Sequence, residues 1–281
     1  MLRQRVITAL VLVAVLLATL AASSAWPFAV LMLAFMAAGG WEWGRLNEAR
    51  GGLAWAMAAV VAGAGAASLS VGLTAQVPAA LWWCGVVLWV LGGTLALRAG
   101  PQGWPRLAQP ARWLLGVVAL WLAWLAVANA RTVSINFLLS VLCLVWMADV
   151  AAYFGGRAWG RAKVAPSISP GKSWAGVWSG MGGVLVLAAF WIWLDRRMGF
   201  DGTSLYTRLF TQLGGLGMAL ALVLLCALSV VGDLVESLVK RAAGAKDSSQ
   251  LLPGHGGVLD RVDALLPTLP AAMALMTWSA R

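Results

Sequence analysis

Long apolar stretches separated by short polar ones run the length of the chain, each close to the roughly 20 residues that a helix needs to cross a bilayer. Nine stretches qualify: 6–25, 27–46, 53–75, 78–97, 112–130, 134–154, 174–194, 212–235 and 264–280. The second is the least regular, because it runs into Trp41, Glu42, Trp43 and Arg45. The pattern predicts an all-α, polytopic integral membrane protein of about nine transmembrane helices. The longest connections, about 15–28 residues, fall below the roughly 40 at which an independent domain folds without staples, so one membrane domain is expected. Its two parts differ. Residues 1–131 have short loops and spans rich in Ala, Leu, Val and Trp, which suits a scaffold in contact with lipid. Residues 132–281 carry Asp149, Asp233 and Glu236 at or near membrane depth, and loops of Ser, Pro, Gly and Lys, which suits chemistry.

Composition supports the same picture, with 62% hydrophobic and 11% charged residues. Charge placement predicts the orientation. With nine crossings and a cytosolic N-terminus, 15 of the 20 basic residues fall on the inside, from Arg3 and Arg5 through Arg45, Arg98 and Arg157 to Arg261. Only Arg131, Arg196, Arg197, Arg208 and Arg281 fall outside, as the positive-inside rule requires. The net charge of +10 therefore belongs to bases beside spans that orient helices and meet anionic lipid, and no nucleic-acid partner is expected. The first apolar run is longer than the roughly 7–15 residues of a signal peptide's core, which predicts a retained helix. The 18 tryptophans suit interfacial belts. Cys84, Cys143 and Cys226 lie within apolar spans with no CxxC pairing, so neither disulfide nor zinc site is expected.

Three patches predicted to face the cytosol hold the candidate chemistry. In the first, DVAAYFGGRAWGRAK, Asp149 ends the sixth span ahead of Arg157; an ionisable group at membrane depth is a functional candidate by default. The second, APSISPGKSWAG, ends in GKS but has Pro166 where a phosphate-binding P-loop needs glycine. Its prolines bar a helix until about Ser173, leaving Ser169, Lys172 and Ser173 before the seventh span as an anion site. In the third, Ser229, Asp233, Glu236, Ser237 and Lys240 share one helix face by their spacing. A Pro-Gly-His-Gly-Gly turn follows, and Asp260 and Asp263, three apart, begin the last helix, so a hairpin brings Asp260 against Asp233. Facing carboxylates with nearby bases suit a magnesium-nucleotide site, because Mg²⁺ takes one or two carboxylates plus phosphates and water.

The run SLVKRAAGAKDSSQLLPGHGGVLDRVD at 237–263 resembles the hallmark of phosphatidate cytidylyltransferases, also called CDP-diglyceride synthases. The resemblance continues upstream through GDLVES at 232–237, SPGKS at 169–173 and DVAAYFGGRAWG at 149–160, and more weakly GWEWGRL at 40–46. It implies a membrane enzyme, often dimeric, that joins CTP to phosphatidic acid to give CDP-diacylglycerol and pyrophosphate, its site facing the cytosol at a bacterial-type inner membrane. By position, Asp233 and Asp260 would hold Mg²⁺, with a monovalent cation such as K⁺ nearby. The catalytic set would be Asp233, Asp260, Asp263, Lys240 and Lys246. Substrate contacts would come from Asp149, Arg157, Ser169, Lys172, Ser173, Glu236, Ser237, Arg241, Asp247, His255, Gly256, Gly257 and Arg261. One position departs: the family's SPxKxxEG segment has Glu where this chain has Ala175.

His255 is expected to stabilise the turn or contact phosphate rather than act as a base, because a phosphate monoester, with its second pKa near 6, is already ionised at cytosolic pH. Other readings explain less. A CDP-alcohol phosphotransferase would carry D-G-x-x-A-R, which is absent. A transporter would place acids in both halves near the midplane, and residues 1–131 show no counterpart. A structural protein with an anionic-lipid patch leaves the interleaved acids unexplained.

Overall fold

The structure is a computed structural model and describes residues 2–278; Arg281 and the side chains of Arg3 and Arg5, which enter the topology argument, lie outside the described residues. The helices are α1 (Leu2–Leu20), α2 (Trp26–Leu46), α3 (Gly52–Ser70), α4 (Ala79–Val87), α5 (Gly93–Gly103), α6 (Gln109–Val133), α7 (Ile135–Trp159), α8 (Trp174–Arg197), α9 (Leu205–Ala242), α10 (Leu259–Val262) and α11 (Leu265–Trp278). A π-helical turn at Leu88–Gly92 joins α4 to α5. Among the described residues, the body of each apolar stretch falls on helix, with 21–25 and 71–75 forming bends and turns. Among the described residues, six helical segments, from Gly52–Ser70 to Leu205–Ala242, are long and apolar enough to cross a membrane. The chain is a helical, multi-pass membrane protein. Strand β1 (Lys163–Ala165) pairs antiparallel with β2 (Ser169–Ser173), aligning Lys163 with Ser173. This hairpin was not expected, and the single last helix expected to begin at Asp260 and Asp263 is instead the four-residue α10, a turn at 263–264 and then α11.

Two seams of small residues set the packing. In α8, Gly176 and Gly180 lie four apart, and a Cβ on either would stand 2.9 Å from the carbonyl of Ala152 or Ala148 on α7. Backbones therefore approach closely there, as small-xxx-small pairs allow in lipid. Gly40 and Gly44 play the same part between α2 and α3, where a Cβ on Gly40 would be 3.3 Å from the Met57 carbonyl. Helix starts are capped by serines: Ser134, Ser173 and Ser204 each accept an N–H from the residue three further on, satisfying donors that the helix leaves unpaired.

Connections segregate to two ends. At one end, Arg131 donates to the carbonyls of Leu20 and Ala22, Asn129 to that of Thr74, and Asp201 accepts from the N–H of Ile135 and Asn136. At the other, Trp104 donates to Asn47, Gln109 to the Asn47 carbonyl, and Arg241 to the Ile168 carbonyl. Helix α9 has 38 residues, interrupted at Gly214 (φ 68°, ψ −179°). The part beyond the break, residues 215–242, is about 42 Å long at 1.5 Å per residue, more than a hydrocarbon core of roughly 30 Å. Its final turns reach the second end, carrying Asp233, Glu236 and Lys240.

The Trp43 indole donates to the Arg112 carbonyl at 2.8 Å and lies where a Cβ on Gly116 would be. Gly116→Ala is expected to expel the ring and cost about 2 kcal/mol, as overpacking in tight cores does. Thermal unfolding in detergent micelles checks this.

Candidate active site

The glycine seam brings α7 against α8, and the hairpin that joins them folds over the polar end, so residues from four elements line one cavity of about 580 Å³. Asp149, Tyr153 and Arg157 come from α7, Ser169, Lys172 and Ser173 from β2, Gly176 and Val177 from α8, and Ser229 and Asp233 from α9. At its centre Lys172 Nζ stands 2.6 Å from Asp233 Oδ2, and Ser237 donates to the other oxygen of Asp233 at 3.3 Å. Asp149 and Asp263 each lie within electrostatic reach of Asp233. Arg157 is exposed and donates to the Tyr153 hydroxyl at 3.3 Å. Ala175 is partly exposed and does not line the cavity, whose acids are Asp149 and Asp233.

A second cluster adjoins it. Lys240 Nζ lies 2.6 Å from Glu236 Oε2 and 2.5 Å from Asp260 Oδ1. Glu236 is almost wholly buried, and its Oε1 has no hydrogen-bond donor. Asp260 Oδ2 accepts from the N–H of Ser248 (3.0 Å), the hydroxyl of Ser248 (2.8 Å) and the N–H of Gly257 (2.8 Å). Burial alone would push the Asp260 carboxyl upward, but Lys240 and these donors win and hold it down at about 2. Asp263 behaves oppositely: burial, then the neighbouring Asp233 charge, pushes its carboxyl above the usual range.

The sequence expectation that Asp260 lies against Asp233 differs from what is seen, since Asp260 pairs with Lys240 and Asp263 is the acid beside Asp233. The reason is directional: the α10 segment runs back along α9, so moving from 260 to 263 moves from 240 towards 233. Arg241, Lys246, Asp247 and Arg261 are exposed; Arg261 holds the His255 carbonyl and Arg241 those of Ile168 and Ala245. His255 closes its own turn, its N–H donating to the Leu252 carbonyl at 2.8 Å and its Nδ1 lying 3.4 Å from the Pro253 carbonyl. Gly256 has a φ of 81°, a conformation that suits glycine in this turn.

Glu42 and its partners Ser248 and Ser249 were not among the sequence candidates. Glu42 of α2 is fully buried and accepts from the Ser249 hydroxyl (2.5 Å) and Val258 N–H (2.9 Å) at Oε1, and from the Leu259 N–H (2.7 Å) and Ser248 hydroxyl (3.2 Å) at Oε2. A carboxylate within an apolar run was its signal.

The profile of the cytidylyltransferase family matches residues 3–279. The chain belongs to the cytidylyltransferase family. Among similar proteins, a phosphatidate cytidylyltransferase of Pseudomonas aeruginosa is 39% identical across the whole chain and 98% of its own length. One from Haemophilus influenzae is 50% identical over 47% of this chain and 43% of its own. The chloroplastic phosphatidate cytidylyltransferase 5 of Arabidopsis thaliana is 34% identical over 59% of this chain and 34% of its own. For a cytidylyltransferase, the paired clusters place cations and carboxylates together at one polar end of a helical bundle, where a soluble anionic nucleotide and a lipid can meet.

Proposed function

We propose that the chain is a phosphatidate cytidylyltransferase, transferring CMP from CTP to phosphatidic acid to give CDP-diacylglycerol and pyrophosphate in phospholipid synthesis. The observation that carries this is the cavity of about 580 Å³ in which Lys172 and Asp233 meet beside Asp149 and Arg157, in a chain 39% identical throughout to a relative bearing that name. A phosphate oxygen of the lipid attacks the α-phosphorus of CTP, and the bond to the β-phosphate oxygen breaks to release pyrophosphate. The lipid phosphate is already ionised near neutral pH, so the protein supplies no base; it lowers the repulsion between two anions. Lys172 and Arg157 bind the phosphate of phosphatidic acid in the cavity, and Lys240 and Lys246 receive charge that develops towards pyrophosphate.

Among the described residues no three His, Cys, Asp or Glu side chains make a ready-made metal site. The donors nevertheless suit a hard cation, being carboxylate oxygens without thiolate or imidazole, and the close approach of Asp233 and Asp263 leaves negative charge to be balanced. Asp260, committed to Lys240, Ser248 and Gly257, stands apart from that pair, whereas Asp233 and Asp263 would hold Mg²⁺, which would supply charge neutralisation on the phosphates. A monovalent cation such as K⁺ beside it belongs to the same proposal.

The crossing count is proposed as nine, with α1, α2 and α11 added to the six long helices, and the N-terminus in the cytosol. The excess of bases at the α2–α3, α5–α6, α7–α8 and α9–α10 connections supports this. A bacterial-type inner membrane, a site facing the cytosol and a homodimer complete the proposal, on the family resemblance and the bacterial relatives. Turnover tests the reaction: purified protein in mixed micelles with phosphatidic acid, Mg²⁺ and CTP labelled in its α-phosphate transfers label to lipid. Asp260→Asn, which removes the charge facing Lys240, is expected to reduce transfer at least about a hundredfold. Lipid labelling by the variant at the wild-type rate would remove Asp260 from the mechanism.

A further inference from the structure

Glu42 joins the first half of the chain to the loop that presents Asp260. Four donor groups from residues 248–259 face its two oxygens, two on each, the Ser248 hydroxyl being shared with Asp260. Asp260 meets the same loop from the other side, through both the N–H and the hydroxyl of Ser248 and the N–H of Gly257. Ser248 has one hydroxyl proton, and its Oγ lies within reach of both carboxylates, 3.2 Å from Glu42 Oε2 and 2.8 Å from Asp260 Oδ2. The space between is filled: a Cβ on Gly257 would run into Ser248 Oγ and stand 2.5 Å from Glu42 Oε1. From Asp260 the chain of contacts continues through Lys240 to Glu236.

We infer that Glu42 is a positioning residue: it holds loop 248–259 as a rigid piece and thereby sets the Asp260 carboxylate for the cytidylyl transfer proposed above, on which this role rests. Glu42 has no exposed surface and both oxygens are committed, so it does not touch substrate. An isosteric amide breaks the arrangement from within. Glutamine has one acceptor oxygen and an NH₂ donor, so on one side an inward-pointing backbone N–H, of Val258 or of Leu259, loses its acceptor and faces another donor. The lipid cavity is lined from α7, β2, α8 and α9 and includes no residue of this loop.

The test compares wild type, Glu42→Gln and Ser249→Ala as full-length proteins in micelles, by steady-state kinetics and by amide hydrogen exchange of peptides. For Glu42→Gln, kcat falls at least about tenfold, the KM for phosphatidic acid moves less than about twofold because its cavity is intact, and exchange quickens in residues 248–259 while α7 and α9 keep their protection. Ser249→Ala, which removes one donor, moves the same readouts less. Wild-type kcat in Glu42→Gln overturns the inference, as does a lost kcat with unchanged exchange in 248–259, or exchange that quickens throughout the chain. If Glu42→Gln does not fold, Ser249→Ala decides, and wild-type values for both its kcat and its loop exchange overturn the role. Absence of lipid labelling by wild type would instead refute the reaction, and the exchange data would still judge the clamp.

Discussion

Asp263→Asn yields a protein that resists unfolding better than wild type at neutral pH and is nearly inactive. Burial and the Asp233 charge raise the Asp263 carboxyl above its ordinary 3.8, so the folded state binds this proton more tightly than the unfolded chain. Stability from this group is therefore full below about pH 4 and is lost as pH rises through the raised folded value. At neutral pH without divalent cation the ionised side chain costs folding free energy, and the neutral amide removes that cost. A gain on the order of 1 kcal/mol is expected, since the side chain is only partly buried and water screens part of the repulsion. Thermal unfolding in micelles with chelator checks it: the gap between variant and wild type narrows as pH falls towards 4. Turnover drops by roughly two to three orders of magnitude, because an anionic oxygen donor proposed to hold Mg²⁺ beside Asp233 is replaced by a neutral amide. A variant both active and no more stable would show that Asp263 neither strains the fold nor serves the reaction.

The second large effect comes from Gly232, the residue before Asp233. A Cβ there would run into the Asp263 carbonyl and stand 2.8 Å from the Pro267 ring. Backbone and proline do not yield as a flexible side chain does, so Gly232→Ala pushes the α10–α11 junction off α9. Overpacking of this kind costs about 1–3 kcal/mol, which the better helix propensity of alanine, worth at most about 1 kcal/mol, offsets only in part. Asp263 moves with the junction and leaves Asp233. The expected result is a lower unfolding temperature together with a fall in kcat of at least about tenfold, read from melting curves and label transfer on the same preparation. Loss of stability with full kcat would mean that the distance between Asp233 and Asp263 does not matter to the reaction.

Helices were legible because each apolar run is long enough to demand its own hydrogen-bonded backbone in lipid. The start of α8 at Ser173 was legible too, because Pro166 and Pro170 bar a helix before it. Asp149 was recognisable as a candidate from its isolation among apolar neighbours and Lys172 from its place just before a helix start, but nothing local showed that Lys172 pairs with Asp233. The Asp260 pairing was placed against Asp233 because periodicity says which residues share a face, not where along α9 a second element crosses. That crossing depends on Gly232, whose role exists only once α11 is packed. Glu42 was visible as an irregularity in the second apolar run, while its four donors lie more than 200 positions away. Glu42 belongs to residues 1–131, yet its hydrogen bonds are to the loop that holds Asp260 in residues 132–281.

The separation of Glu42 from its partners has a consequence for biogenesis. Residue 42 leaves the ribosome 206 positions ahead of Ser248, an interval of roughly 10–40 s at 5–20 residues per second. Throughout that time α2 carries a carboxylate with no internal partner in a newly inserted helix. Each nascent chain thus passes through a stage in which most of its spans exist and its site cannot. A chain truncated before residue 248 would lack every one of these donors.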